Sequence, residues 1–99
     1  MFEYMVVGIC KLALFLPECR SLKEKRNVLR KIKDRFFAHF KIMLAEVDDL
    51  NLWQKAGMGF ALVGNDRRVI ESLLDKGMNF VEAVGGAHVI DRTTEIINY

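Results

Sequence analysis

MVVGICKLALFLPECRSLKEKR, residues 5–26, holds a strand, its stop and the start of a helix. Between Met5 and Leu16 the even positions Val6, Gly8, Cys10, Leu12, Leu14 and Leu16 share one face of an extended chain. The odd positions Val7, Ile9, Lys11, Ala13 and Phe15 share the other. Both faces are mainly apolar, the pattern of a strand inside a sheet and not at its rim. Pro17 ends it, because proline has no N–H to give to a ladder. Ser21 and Glu24 then form an S-x-x-E box, in which each side chain satisfies a backbone N–H at a helix start. Leu22, Leu29, Ile32, Phe36 and Phe40 recur at helical spacing, with Val28 at the margin, so this helix has one core-facing stripe.

Downstream, KIMLAEV at 41–47 reads as a second strand, and DDLN at 48–51 starts a loop. In AGMGFALVG at 56–64, Met58, Phe60 and Leu62 alternate with Gly59, Ala61 and Val63, a third strand with one large and one small face. Asn65-Asp66 supplies a helix cap. Val69, Ile70, Leu73, Leu74, Gly77, Phe80, Val81 and Val84 follow as a second stripe, and Gly85-Gly86 stops it. Gly77 lies on the stripe, which implies close approach to the sheet. AHVIDR at 87–92 reads as a short last strand before a polar tail. The order β-α-β-β-α-β defines an α+β, ferredoxin-like two-layer sandwich: four antiparallel strands with two helices on one face. One domain spans residues 1–99.

That arrangement leaves the far face of the sheet open. It would present Val7, Ile9, Phe15, Ala61 and Val63, too apolar a set for a free surface, and a homodimer through this face is expected. The apolar fraction of 52% excludes a disordered chain. No apolar run reaches the roughly 20 residues that span a membrane, and the beginning lacks a leader pattern, so a cytoplasmic protein without membrane contact is expected. Cys10 and Cys19 fit neither a disulfide framework nor a metal site. With His39 and His88 far apart, no metal, no cofactor and no catalytic group is expected. Asp48 and Asp49 read as a turn, not as an acid–base pair.

Charge is unevenly placed. Nine Lys or Arg stand against two acids between Arg20 and Lys41, while the whole chain carries only +2. At 100° per residue, Lys23, Arg26, Arg30 and Lys33 fall on one flank beside the apolar stripe, and Lys31 and Arg35 on the other. The first flank, with Arg20 just before it, suits a phosphate backbone; a merely solvated face explains it as simply. Lys25 projects into the stripe, where it must snorkel or meet a carboxylate.

Three segments carry a resemblance: LPECRSLKEKR (Leu16–Arg26), LWQKA (Leu52–Ala56) and NDRR (Asn65–Arg68). With their surroundings they resemble the YlxP-like family of small bacterial proteins of unknown function, over nearly the whole chain. The resemblance implies a ferredoxin-like fold and a loose association with translation, since such proteins are often encoded beside initiation and ribosome-maturation factors. It implies no reaction. Four extra residues before Met5, and Gly57 where an acid is common, depart from the family pattern.

Two further places bear on binding. Trp53, in the loop between strands two and three, either stacks on an exposed base or plugs the loop onto the domain edge or a second subunit; the plug is favoured. Arg67 and Arg68 open the second helix against its dipole, so they either pair with Asp66 or another acid, or meet an anion. Gly59, Ala61 and Val63 lack the aromatics with which RRM domains stack bases on their middle strands. The expectation is a dimeric, non-enzymatic RNA- or ribosome-associated protein. Ribosomal RNA or ribosomal particles would be the partner. The alternative is an interaction module whose basic helix binds an acidic protein.

Overall fold

In the computed structural model, which describes residues 4–99, the elements run β1 (Val6–Phe15), α1 (Leu22–Phe40), β2 (Ala45–Asp48), β3 (Lys55–Gly64), α2 (Arg67–Val84) and β4 (His88–Asn98). The sheet order is β2-β3-β1-β4, all antiparallel, with β1 and β3 in the middle. This is the ferredoxin-like arrangement. The even positions of β1 and β3 point at the helices: Cys10, Leu12, Leu14, Met58, Phe60 and Leu62 are buried against Leu29, Ile32 and Phe36 of α1 and Ile70, Leu74, Met78 and Val81 of α2. Full burial of such a side chain contributes about 1.5–3 kcal/mol before ordering costs. Phe36 sits at the centre, its ring 4.7 Å from Phe40 and 4.9 Å from Phe60.

The boundaries follow local chemistry. Ser21 Oγ accepts the Glu24 backbone N–H at 3.1 Å, and Glu24 Oε2 accepts the Arg20 N–H at 2.6 Å, so the return bond lands one residue before the cap. At the other end Lys41 adopts a left-handed φ of 59° and donates its N–H to Phe37 O. That turn keeps Lys41–Leu44 out of the sheet. The second strand is therefore Ala45–Asp48, shorter than the 41–47 expected.

The last strand is longer than expected. β4 pairs with β1 from His88 to Asn98, well past Arg92, with a register shift opposite Ala13/Leu14. Residues 93–98, read above as a polar tail, are half of it. An edge strand with one open face needs few apolar residues, and Thr93, Thr94, Ile96 and Ile97 are β-branched residues that suit it.

Gly77 does bring α2 close to the sheet: a Cβ there would stand 2.6 Å from Phe60 Cζ. The Phe60 ring is also packed against Phe36, with 4.9 Å between centroids. Gly77→Val is expected to destabilise the domain by about 1–3 kcal/mol in urea unfolding. A loss under about 0.5 kcal/mol would mean that Phe60 gives way freely.

Candidate nucleic-acid interface

α1 places its charges by simple periodicity. Its core stripe fixes the rest: Val28 approaches Gly86, and the His39 ring stacks on Phe80 at 4.9 Å, so one flank of α1 is against α2. The opposite flank carries Lys23, Arg26, Arg30 and Lys33. Lys33 lies beside β2, in a hollow lined also by Asp34, Phe37, Met43, Leu44, Ala45 and Glu46. Arg20, Lys23, Arg26 and Arg30 are exposed and Lys33 is half-buried.

Of the cations from Arg20 to Arg35, only Lys25 meets a carboxylate among the described residues. Glu24 is committed to the cap. The flank is thus a row of cations, one at nearly every turn, free of ion pairs among the described residues, with Asp34 and Glu46 beside Lys33 in the hollow.

Lys25 is the exception, and it is structural. It is 1% exposed, with Nζ 2.8 Å from Glu46 Oε2 and donating to Asp49 O at 2.7 Å. The Glu46 oxygen is buried, and the Lys25 ammonium is the charge that faces it. The contact is an ion pair whose directed hydrogen bond goes to Asp49. Lys25 therefore ties the N-terminal half of α1 to the end of β2.

The other expected residues divide. Arg67 and Arg68 stand on α2, where Arg67 shares a hollow with Thr94 and Ile96 of β4, on the side of the sheet away from β2. They do not join the α1 flank. Arg67 pairs with Glu71 at 3.3 Å, while Asp66 caps the Arg68 N–H at 2.9 Å. Trp53 is more than half exposed in the single chain. Its loop is held by Gln54, whose Nε2 donates to Pro17 O and Cys19 O.

The open face carries the expected residues. Val7 pairs with Val63 and Ile9 with Ala61, all pointing away from the helices, with Ile9 38% and Val63 62% exposed. Phe15 lies at one end, opposite Lys55. Val47 and Ile97 extend the patch. Lys11 and Asp48 pair on it at 3.1 Å. That bond, with the Asp49 N–H, holds the Asp48 carboxyl below its ordinary value. Asp49 takes a left-handed φ of 58°, as a turn residue does.

Burial pushes the Cys10 thiol up to about 11, and Cys19 is raised by burial and by Glu24. Neither is a thiolate at neutral pH. Among the described residues, no three His, Cys, Asp or Glu side chains gather as a metal site, and no helix is long and apolar enough to cross a membrane.

The family model described as "Protein of unknown function (DUF503)" matches residues 7–94. The chain belongs to this DUF503, or YlxP-like, family. It is 28% identical over 78 residues to the uncharacterized protein YlxP of Bacillus subtilis (strain 168), covering 79% of this chain and 85% of that one. Among solved structures it is similar to the de novo designed protein Foldit4, with a TM-score of 0.51 at 11% identity over 98% of this chain and 99% of that one. That likeness concerns the fold alone. A C-terminal segment of the alpha subunit of aIF2 from Pyrococcus abyssi is more remote, with a TM-score of 0.49 at 9% identity, over 100% of this chain and 53% of that one.

Phe37, Met43, Val47 and Ile97 were not picked out as surface residues by sequence reasoning. Phe37 had a readable signal. In an FF pair only one ring can face the core, and at 100° per residue Phe37 falls between Arg26 and Arg30.

Proposed function

We propose that this DUF503 protein is a non-enzymatic, dimeric RNA- or ribosome-associated protein that binds through the outer flank of α1. The observation that carries the reading is the row Lys23, Arg26, Arg30 and Lys33, none of which is held in an ion pair among the described residues. A merely solubilising helix face ordinarily alternates signs. Cations that neutralise phosphates release bound counterions, which favours a polyanion over a single carboxylate ligand. Purified protein should co-sediment with ribosomal particles in low-salt buffer and leave them as salt rises. An acidic protein partner is the competing occupant; it would be bound through the same arginines with no affinity for RNA.

The dimer is the second part of the proposal. Val7, Ile9, Phe15 and Val63, with Val47 and Ile97, form an apolar patch that a two-fold partner would cover, and Lys11 and Asp48 supply both signs within it. Ile9→Asp would place a charge opposite Ala61 in the centre of the patch. Monomeric or insoluble protein is expected from size-exclusion with light scattering. A stable dimer of unchanged mass would move the interface elsewhere.

A further inference from the structure

The flank of α1 is not uniformly polar. Phe37 is 48% exposed and Met43 79%, and both border the hollow between α1 and the free edge of β2. Lys33 lines the same hollow. Arg30 and Arg26 continue from it along the helix, one and two turns toward the N-terminus. Successive turns are separated by about 5.4 Å, close to the spacing of neighbouring phosphates along an extended nucleotide strand.

We infer that this hollow takes an unpaired base of a single-stranded RNA, stacked on Phe37, with Arg26, Arg30 and Lys33 holding the adjoining phosphates. The inference rests on the reading of α1 as an RNA-binding flank and names the form of RNA it binds. A duplex offers cations its phosphates but keeps its bases stacked inside, so it makes no use of an exposed ring. A single strand offers both, and an aromatic face accepts any base. Met43 forms an adaptable second wall. Asp34, at the rim, can accept from an exocyclic amino group. An acidic peptide adding to the edge of β2 fits less well. That strand has four residues and carries a register shift between Glu46 and Asp48, and both features blunt strand addition.

The test is fluorescence anisotropy of the full chain with a short oligoadenylate, an abasic strand of the same length, and an adenylate–uridylate duplex. Phe37→Ala should weaken oligoadenylate binding about tenfold or more. It should change abasic-strand and duplex binding by less than about twofold, since no stacking is lost there. Phe37→Trp should retain oligoadenylate binding, and Arg26→Gln/Arg30→Gln should weaken all three probes. Equal effects of Phe37→Ala on all probes, or none, would overturn the stacking site while leaving the RNA-binding flank in place. Phe37-dependent binding of polyglutamate as tight as that of oligoadenylate would assign the hollow to an acidic peptide. Wild-type protein that binds none of the nucleic acids at low salt would end both readings.

Discussion

Lys25→Met is expected to destabilise the domain by about 3–5 kcal/mol, the cost of leaving one member of a buried ion pair alone. Methionine matches the lysine stem in volume, so little of that loss comes from packing. What disappears is the ammonium 2.8 Å from Glu46 and its 2.7 Å hydrogen bond to Asp49 O. Glu46 is the more exposed partner, at 18%, so water relieves part of its charge and the lower end of the range applies. For a domain of this size about 3 kcal/mol corresponds to a fall in melting temperature of at least roughly 12 °C. Lys25→Met/Glu46→Met should recover most of it, because neither partner then remains charged inside. If the double variant is no more stable than the single one, the pair does not matter as a pair.

The second large effect is on binding. Arg26→Gln/Arg30→Gln removes two exposed guanidinium groups without touching the core stripe, so melting should change by no more than a surface substitution does. Affinity for RNA at moderate salt should fall by at least about tenfold, since each charge-assisted contact to phosphate exceeds an ordinary hydrogen bond. The loss should be nearly the same for unrelated RNA sequences, because phosphate contacts position and do not specify. Lys76→Gln, which changes net charge equally from the other helix, should leave binding unchanged. Equal losses from both variants would mean that only total charge matters.

The fold was legible in the chain because its local signals agree with one another. Pro17, the Ser21–Glu24 box, Asp66 and Gly85 mark four boundaries, and the two-residue alternation of β1 and β3 sets both faces of the sheet. The errors came at edge strands. β2 loses Lys41–Leu44 to a left-handed turn that no residue type there announces, since Lys41 is neither Gly nor Asn. β4 gains Thr93–Asn98 because an edge strand satisfies its backbone on β1 whatever its side chains are. At the interface, the α1 row follows from spacing alone; spacing also places Lys25 in the apolar stripe but leaves snorkelling and a carboxylate partner both open, and Glu46 decides between them. The separation of Arg67 and Arg68 from that row was not legible, because it depends on which pair of strands each helix covers. Nor was the Phe37–Met43 hollow, which exists only because β2 starts late and leaves Met43 outside the sheet.

The most direct measurement is the salt dependence of RNA binding by the wild-type protein. If Lys23, Arg26, Arg30 and Lys33 each neutralise one phosphate of a single strand, a plot of log affinity against log salt should be linear with a slope of roughly −3. The Arg26→Gln/Arg30→Gln variant should bring that slope to about half its value. A flat salt dependence, or no binding to RNA or ribosomal particles even at low salt, would contradict the account, and the second outcome would leave an acidic protein as the partner of the basic flank.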